Sequence, residues 1–483
     1  MGHFMRCLAL AEAWTESGGR ALFVMTETAP ATEAHLRAIG AGSARLAAQP
    51  GGEEDARETV ALAAREGADW IVADGYTFGP EYQQALRAGG QRLLFLDDDG
   101  RHPRYEADLV LNQNLHAAET LYPARAADTR LLLGPRHALL RRQFRHAAPP
   151  VRSFPPAAQR ILVTLGGADP GNVTQLVIEA LQTLPDYALE VIVLVGGSNP
   201  HGPQLAAAVT AAPTRITLLH DAKNMAELMI WADLAISAAG STALELASMG
   251  VPMLLLVLAD NQAPGAERMH RAGAAHSLGW ARALSPAALA EAVRQLISDP
   301  DGRARLARTA QALVDGRGAP RVVRTLREKA LRLRPATSAD VRLLFDWAND
   351  PEVRAASFDS REITWSEHER WFHARQASPL AVLLIAETAE QQAVGVARFQ
   401  IADDVATISI SIDATFRGGG YGRQLIEKSS RLMLAQPPVR SVRALIKAEN
   451  AASTRAFLAA GFREESAPGP HGVRVFVFPQ PQP

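Results

Sequence analysis

The sequence predicts an α/β protein made of successive units, and two observations support this. Apolar runs of strand length alternate with helix-like segments up to residue 330, which is typical of parallel sheets covered by helices. After that point one helix is followed by several strands of alternating polarity. At 483 residues the chain exceeds one hydrophobic core. We therefore expect units at residues 1–150, 157–330 and 331–478, and a disordered tail at 479–483.

Composition and charge exclude several classes of protein. Hydrophobic residues make up 47% and charged residues 21%, which fits globular folding throughout. The formal net charge of −1 gives no reason to expect a nucleic acid or an anionic membrane as partner. The single cysteine, Cys7, excludes an internal disulfide framework and favours a cytoplasmic location. No apolar run reaches the roughly 18 residues of a membrane span, and the sequence leaves the oligomeric state undetermined.

The elements of the first two units follow one another in a regular order. Phe4, Cys7, Leu8 and Ala11 recur at helical spacing, so a helix is expected at once. The proline-rich segment 145–156 has no hydrophobic period and is predicted as a linker. Residues 304–333 are predicted as one or two basic helices. Strands are predicted at residues 21–25, 70–73, 92–96, 160–165, 190–195, 215–219 and 234–237, with another after Pro252.

Residues 237–262 combine the features of a nucleotide-binding site. An apolar strand leads through a small glycine turn into a helix, whose first two residues carry hydroxyls that we expect to cap it. The N-terminus of such a helix offers N–H donors and partial positive charge to a phosphate. Glu245 lies one turn further, within reach of a ribose hydroxyl. An ordinary strand–turn–helix crossover is the alternative. The residues predicted to surround the ligand are Gly240, Ser241, Thr242, Glu245, Asn261 and Gln262.

This stretch, AAGSTALELASMGVP followed by ADNQ, resembles the sugar-nucleotide half of two-domain GT-B proteins. Further motifs keep their order over the first 330 residues. They are GHFMRCL from residue 2, DGY from 74, LVLNQN from 109, LGPRHALLRRQF from 133 and LGGADPGN from 165. Together they resemble the UDP-sugar hydrolases of pseudaminic acid biosynthesis. The resemblance implies two Rossmann-like domains in a GT-B arrangement, which release UDP from a diacetamido-trideoxy-altropyranose.

The same resemblance implies that His3 is the general base that activates water. A histidine that only caps a helix is the alternative for a bare Gly-His pair. The glycine pair after residue 165 lets backbone approach a diphosphate, and the polar residues beyond it orient the sugar. Attack opposite a departing UDP stabilised by the helix at Ser241 inverts the anomeric centre. The other predicted UDP-sugar ligands are Arg6, Asp74, Tyr76, Asn114, Gly166, Gly167, Asp169 and Asn172.

The acidic run at residues 97–99 is a candidate metal site, but carboxylates in the turn after a strand are the simpler interpretation. The hydrolase family is not built around a catalytic metal, so none is expected. Cys7 lies one helical turn beyond His3, and no neighbouring residue in the sequence activates it. We interpret it as a core residue.

In the third unit a strand of period two runs into the sequence TFRGGGYGR. Its R-x-x-G-x-G pattern, between a strand and a helix, resembles the pyrophosphate-binding turn of GCN5-related N-acetyltransferases. The segment NAASTRAFLAAGF from residue 450 resembles a second element of that family. The resemblance implies an α/β acetyltransferase domain that uses acetyl-coenzyme A. The predicted acetyl-coenzyme A ligands are Ile410, Ile412, Arg417, Gly418, Gly419, Gly420, Tyr421, Gly422, Asn450 and Phe457.

A closer resemblance is to the UDP-4-amino-sugar N-acetyltransferase of the same pathway. It rests on WANDPEVR from residue 347, on Ile363 and on HERW from residue 368. It implies acetylation of a sugar 4-amino group, the step before UDP release. Many members have a tyrosine general acid where this chain has Phe457. Water, Tyr421 and a nearby serine remain open as the group that delivers the proton to the thiolate.

Two other functions remain open from sequence. The GT-B half is alternatively a glycosyltransferase with a sugar or lipid acceptor, or one module is a non-catalytic binding domain. One further expectation concerns the start. A Gly-His turn of this type normally follows a strand, and in a doubly wound sheet that strand lies in the middle. We expect either an upstream in-frame segment of about 10–20 residues that encodes this strand, or a hydrolase half weakened by its loss.

Overall fold

The computed structural model divides into two compact units, Met1–Leu326 and Arg327–Pro483. The first unit includes both of the segments that the sequence separates at the proline-rich linker. The predicted tail at 479–483 lies outside the described residues. The structure describes residues 2–27, 30–147, 152–210, 215–220, 222, 224–328, 331–388, 391–465 and 473–478.

The first half of unit one consists of two parallel sheets under helices. Strands β1 and β2 form a two-stranded sheet, and the other four strands form a sheet in the order β3-β4-β5-β6. The strands are β1 Leu22–Met25, β2 Gly42–Arg45, β3 Trp70–Asp74, β4 Arg92–Leu96, β5 Leu109–Asn112 and β6 Arg130–Leu133. The α-helices are α1 Gly2–Glu16, α2 Pro30–Ala38, α3 Glu53–Arg65, α4 Pro80–Ala88 and α5 Arg142–His146, with 3-10 turns at Glu119–Leu121 and Pro135–His137.

The two sheets of this half each end in a strand that lacks one neighbour. Within the described residues, β1 pairs only with β2, and β3 pairs only with β4. A strand with one partner leaves a row of N–H and C=O groups unpaired. Helix α1 contacts both sheets. The rings of Phe4 in α1 and Phe23 in β1 lie 5.7 Å apart, and Arg6 of α1 donates to Asp74 in β3. That an upstream strand pairs with these edges stays a prediction.

The second half of unit one is a single parallel sheet of six strands. Their order is β12-β11-β10-β7-β8-β9, so the chain reverses its direction of travel between β7 and β10. Ligands of open α/β sheets bind at the carboxyl ends of the strands at such a reversal. The strands are β7 Arg160–Thr164, β8 Glu190–Val195, β9 Arg215–His220, β10 Leu234–Ala238, β11 Met253–Val257 and β12 His276–Trp280. The helices are α6 Val173–Gln182, α7 Gly202–Thr210, α8 Met225–Trp231, α9 Ser241–Ser248, α10 Ala263–Arg271, α11 Pro286–Ile297, α12 Pro300–Leu313 and α13 Gly318–Leu326, with 3-10 turns at Asp260–Gln262 and Ala281–Ala283.

Unit two is a mixed sheet of seven strands in the order β13-β14-β15-β16-β17-β19-β18. Only β16 and β17 run parallel, and their pairing stops at Ile408 and Ala444, so the sheet opens toward the end of β16. The strands are β13 Arg332–Pro335, β14 Ala381–Glu387, β15 Ala393–Ala402, β16 Val405–Ile412, β17 Ser441–Lys447, β18 Arg463–Glu464 and β19 Val473–Phe478. The helices are α14 Val341–Ala348, α15 Pro351–Ala356, α16 Trp365–Ala377, α17 Tyr421–Leu434 and α18 Ala451–Ala459, with 3-10 turns at Ser338–Asp340 and Ala414–Phe416.

These sheets confirm the predicted α/β class. Strands β4 and β8 have the predicted bounds. Residues 304–333 were predicted to be helical, and α13 agrees with this. The prediction is wrong for the last residues of the segment, because Arg332 and Leu333 lie in a strand that pairs with β14. Among the described residues, no helix is both long and apolar enough to span a bilayer.

The start of α13 provides a test of packing in unit one. A Cβ at Gly318 would overlap the backbone of Ala138. Gly318→Ala should therefore destabilise this unit by about 1–3 kcal/mol. Gly202→Ala is the control, because no atom lies within 4 Å of its Cβ position at the start of α7. Calorimetric melting of both variants checks this, and equal melting temperatures would contradict it.

Candidate functional sites

The carboxylate of Asp74, at the end of β3, is the centre of a cluster that α1 completes. His3 Nδ1 lies 2.6 Å from Asp74 Oδ1. Arg6 donates from Nε to Asp74 Oδ2 at 2.7 Å and from Nη2 to Oδ1 at 2.6 Å. Its Nη1 donates to Asp98 Oδ1 at 2.6 Å. Arg6 and Asp74 are buried, whereas the His3 side chain is 38% exposed. One guanidinium thus bridges two carboxylates beside an accessible histidine.

The charge state of Asp74 determines the tautomer of His3. Burial raises the pKa of Asp74, but hydrogen bonds and positive charge from Arg6 and His3 outweigh burial and lower the pKa to about 2. An ionised carboxylate only accepts hydrogen bonds, so Nδ1 of His3 carries the proton and donates it. The Nε2 atom then keeps its lone pair, which is the form that a general base requires.

Cys7 lies on the other side of the same carboxylate. Its Sγ donates to Asp74 Oδ2 at 3.4 Å, and its side chain packs against the core beneath α1. Burial raises the pKa of this thiol well above its usual value. The side chain therefore stays a neutral thiol that packs and donates, in agreement with its interpretation as a core residue.

Tyr76 connects this cluster to the second half of the unit. Its hydroxyl donates to Asp98 Oδ2 at 3.2 Å and accepts from Asn261 Nδ2 at 3.3 Å. The His3 ring meets the Tyr76 ring edge-on at 4.9 Å. Asn114 Nδ2 lies 3.2 Å from both the carbonyl and a carboxylate oxygen of Asp98. Residues predicted from separate motifs in both halves therefore lie in one cluster.

The glycine turn after β7 leaves room beside the backbone. Gly166 has φ +91°, and no atom lies within 4 Å of a Cβ placed on Gly166 or Gly167. Asp169 is buried, and its carboxylate accepts from the backbone N–H of Val173 at 2.8 Å and from Thr174. This carboxylate holds the start of α6, so the predicted contact of Asp169 with the sugar remains untested.

Asn172 follows in the left-handed conformation, with φ 48°. Its Nδ2 donates to Gln204 Oε1 at 3.3 Å, and its buried Oδ1 has no partner among the described residues. That the Asn172 side chain binds the sugar also stays a prediction.

Helix α9 begins as predicted after the turn that follows β10, but its cap differs. Gly240 is the N-cap, and no side chain caps the helix. The prediction that Ser241 and Thr242 cap it is wrong, because both already lie in the first helical turn and a cap comes from the preceding residue. Their backbone N–H groups remain available to an anion. Gln262 Nε2 lies 4.0 Å from a Cβ placed on Gly240, beside the same turn.

Glu245 lies one turn into α9 and is paired within the protein. Arg141 donates to Glu245 Oε1 from Nη2 at 3.1 Å and from Nε at 3.3 Å. Burial raises the pKa of Glu245, although the charge of Arg141 opposes this. The ion pair joins the end of the first half to α9, and a contact between Glu245 and a ribose remains a prediction.

Three residues of this site were not predicted: Asp98, His116 and Arg141. Asp97 and Asp99 have turn roles, since Asp97 accepts from Gly100 N–H and Asp99 pairs with Arg101. Asp98 instead joins the Arg6 cluster. Its carbonyl lies 3.0 Å from His116 Nε2, whose ring has a buried, unpartnered Nδ1 in the described structure. Asp98 lies in the acidic run at 97–99 and Arg141 in the motif from residue 133, but neither pattern shows the pairing, because the partners are distant in sequence.

The loop after β16 forms the candidate cofactor site of unit two. Gly418 and Gly420 have φ +76° and +81°, a region that side-chain-bearing residues rarely adopt. Gly420 is the N-cap of α17, so free N–H groups of that helix face the loop. Arg417 donates to Asp350 Oδ1 at 2.6 Å and to the Ile412 carbonyl at 3.1 Å, which anchors the loop.

The other predicted residues of unit two have mainly structural contacts. A Cβ on Gly422 would lie 3.7 Å from Ile412 and 3.9 Å from Ile410, whereas Gly419 packs close to the Tyr421 ring. Asn450 Oδ1 accepts from Ser453 N–H at 3.0 Å and caps α18. Phe457 is 3% exposed and its ring packs 4.9 Å from Phe462. No group of three or more His, Cys, Asp or Glu side chains in the described part of the chain could hold a metal.

Acid unfolding tests the Asp74 cluster. Because its folded pKa of about 2 lies below the ordinary 3.8, ionised Asp74 stabilises the fold above about pH 4. That contribution, about 2 kcal/mol, is lost as the pH falls through 2. Asp74→Asn should lower the free energy of unfolding at pH 7 by about 3–5 kcal/mol, since Arg6 loses a buried partner. The stability of this variant should also fall less steeply with pH than that of the unchanged protein. Denaturant titrations at several pH values measure this.

Asp186→Asn is the control for that experiment, because Asp186 is exposed and its side chain forms no hydrogen bond or ion pair with the described residues. Equal stability of the two variants at pH 7 would show that the Asp74 cluster does not stabilise the unit.

Comparisons with known proteins match one region in each of the two units. Residues 160–317 match the Glycosyltransferase family 28 C-terminal domain, and residues 330–463 match the Acetyltransferase (GNAT) domain. The spore coat polysaccharide biosynthesis protein SpsG of Bacillus subtilis is 28% identical over 237 residues, 49% of this chain and 69% of the relative. The uncharacterized protein MJ1062 of Methanocaldococcus jannaschii is 22% identical over 415 residues, 82% of this chain and 81% of the relative.

Solved structures resemble the two parts separately. MurG of Acinetobacter baumannii is 17% identical with a TM-score of 0.49, covering 67% of this chain and 96% of its own. Spermidine N-acetyltransferase of Vibrio cholerae is 17% identical with a TM-score of 0.28, covering 30% of this chain and 92% of its own. The predicted fold class is confirmed by the sheets together with the two family matches. The chain therefore has one region that matches the glycosyltransferase family 28 C-terminal domain and, after it, one that matches the GNAT acetyltransferase domain.

Proposed function

We propose that the protein is a bifunctional enzyme of pseudaminic acid biosynthesis. Unit one hydrolyses a UDP-diacetamido-trideoxy-altropyranose to UDP and free sugar. Unit two acetylates the 4-amino group of the UDP-4-amino-sugar precursor with acetyl-coenzyme A. The observation that carries the hydrolase proposal is the His3–Asp74 pair, which Tyr76 links to Asn261 at the end of β11. The proposed base, His3, and the proposed phosphate-binding start of α9 thus belong to the same unit.

The proposed hydrolysis is a single displacement. His3 Nε2 takes a proton from water while the water oxygen bonds to the anomeric carbon. The bond from that carbon to the phosphate oxygen breaks, and UDP leaves with the electron pair. Asp74 orients the ring and stabilises the imidazolium that forms. The backbone at Gly166, Gly167 and the start of α9 would bind the diphosphate, where charge develops on the leaving group.

In unit two the loop from Arg417 to Gly422 would hold the pyrophosphate of acetyl-coenzyme A. Its glycines let the backbone approach, and the start of α17 supplies N–H donors. The cofactor supplies an activated acetyl group. The opening between β16 and β17 would admit the acyl end of the cofactor, because the backbone of β16 beyond Ile408 does not pair with β17. The nitrogen of the sugar amine bonds to the acetyl carbon, the carbon–sulfur bond breaks, and the thiolate leaves with the electron pair. The proton that the amine loses reaches the thiolate through water, Tyr421 or a nearby serine, the three routes that the sequence leaves open.

A glycosyltransferase is the second candidate for unit one, and the match to the glycosyltransferase family 28 C-terminal domain favours it. The relative SpsG is named for polysaccharide biosynthesis, which suits either reaction. The two candidates differ in the group that attacks the sugar. UDP release from the UDP-sugar without any acceptor supports hydrolysis, whereas release only after a sugar or lipid acceptor is added supports transfer.

His3→Ala should reduce UDP release by about 10²–10⁴-fold, because water then loses its base. Acetyl transfer should persist, since no residue of unit two changes. Coupled detection of UDP and of free coenzyme A measures both reactions in one sample. His146→Ala, at an exposed histidine of α5, is the control. Near-normal UDP release by the His3 variant would refute the assignment of the base.

Gly420→Val should abolish binding of acetyl-coenzyme A while UDP release continues. The residue has φ +81°, and a branched side chain there would also fill open space beside the loop. Isothermal titration with coenzyme A measures the affinity directly. Unchanged affinity would show that this loop does not hold the cofactor.

A further inference from the structure

Unit two contains a cavity of about 520 Å³ between its helices and its sheet. Helices α15 and α16 and strands β15 and β16 contribute to its wall. Trp371 of α16 and residues 407–409 of β16 line it. Four arginines also line it: Arg354, Arg361, Arg375 and Arg398. Two carboxylates, Asp359 and Glu367, also line it, so the four arginines leave an excess of positive charge in a concave site, which favours an anionic ligand.

Three of these arginines, Arg354, Arg375 and Arg398, have no carboxylate partner among the described residues, and two of the three have a buried Nε without a partner. Arg398 donates from Nη2 to Ser411 Oγ at 2.9 Å, and its buried Nε has no partner in the described structure. Arg354 donates to the carbonyls of Asp359 and Arg361 at 3.1 Å, and its buried Nε is also unpartnered.

Arg361 differs in this respect. Its guanidinium pairs with the carboxylates of Asp359 and Glu367, at 3.0 Å each. Within the described residues the cavity therefore has one arginine paired with carboxylates and three that are not, and of these Arg354 and Arg398 have a buried Nε without a partner.

The unpaired charges are costly for the protein alone. Burial, together with the charge of Arg354, lowers the pKa of Arg398 to about 10. The same Arg398 charge adds to burial in lowering the pKa of His368. A buried charge without a partner destabilises a fold, so such a pair is retained most readily where a ligand supplies the opposite charge. Guanidinium groups bind phosphate oxygens in a bidentate manner.

The cavity also lies beside the route of the acetyl group. Residues 407–409 of β16 line it, and β16 stops pairing with β17 at Ile408 before leading into the glycine loop. We propose that Arg354 and Arg398 bind the phosphate groups of the acetyl acceptor, so that unit two recognises amines attached to a diphosphate. This inference rests on the proposed acetyltransferase function and assigns the recognition of its substrate to two residues.

Fluorine NMR tests the proposal without measuring catalysis. The full chain, with its seven tryptophans replaced by 5-fluorotryptophan, is titrated with inorganic pyrophosphate. Trp371→Phe identifies the Trp371 signal. Saturating coenzyme A is present throughout, so that the glycine loop is occupied. We expect the Trp371 signal to shift and saturate, and Arg398→Gln or Arg354→Gln to weaken binding by about 10–100-fold.

Arg361→Gln is the matched control, because it removes a charge that is already paired in the same cavity, and it should keep the response. Titration with malonate distinguishes a site for diphosphates from a site that also accepts dicarboxylates. An affinity for malonate equal to that for pyrophosphate would overturn the proposal. So would an unshifted Trp371 signal, or equal pyrophosphate affinity in Arg361→Gln and Arg398→Gln. If pyrophosphate shifts Trp371 while no UDP-amino sugar is acetylated, the proposed function fails and the anion site stands.

Discussion

The arrangement of unit one depends on the buried guanidinium of Arg6. It is held by two carboxylates, Asp74 from β3 and Asp98 from the turn after β4. Burial disfavours its charge, but the two carboxylates outweigh this and raise its pKa. Helix α1 is thereby fixed to two neighbouring strands, and His3 is held one helical turn away from Arg6. A carboxylate that Arg6 keeps ionised also sets the tautomer of His3.

The site residues that could be predicted are those that lie in a recognisable motif of neighbouring residues. The glycine turns at Gly166 and Gly420 were predictable, since backbone with φ of +91° and +81° strongly favours glycine. Motif order placed His3, Asp74, Tyr76 and Asn261 in one site, and in the structure they make contact. The sequence did not indicate that Asp98 and Arg141 pair with Arg6 and Glu245. Such pairs depend on which strand ends are adjacent, and the chain separates their members by about a hundred residues.

The errors share a physical cause. Ser241 and Thr242 have the side chains of good caps, but a cap requires the position before the first helical turn, and Gly240 occupies it. Residues 332–333 have helical surroundings in sequence, but pairing with β14 makes them a strand. In both cases tertiary structure decided between local alternatives of similar propensity. The short strand β2 was missed for a related reason, because Gly42–Arg45 lacks a strong apolar pattern.

The arginines of the two candidate sites are paired differently, and this bears on the order of the proposed reactions. In unit one the guanidinium of Arg6 is paired with Asp74 and Asp98, and its contact with a UDP-sugar stays a prediction. In unit two no carboxylate among the described residues pairs with Arg354 or Arg398, and the proposal is that the substrate supplies their partner. If that partner is the diphosphate, UDP release removes the group by which unit two binds its substrate. Acetylation then has to precede hydrolysis, because the free amino sugar no longer carries the charge that those two arginines recognise.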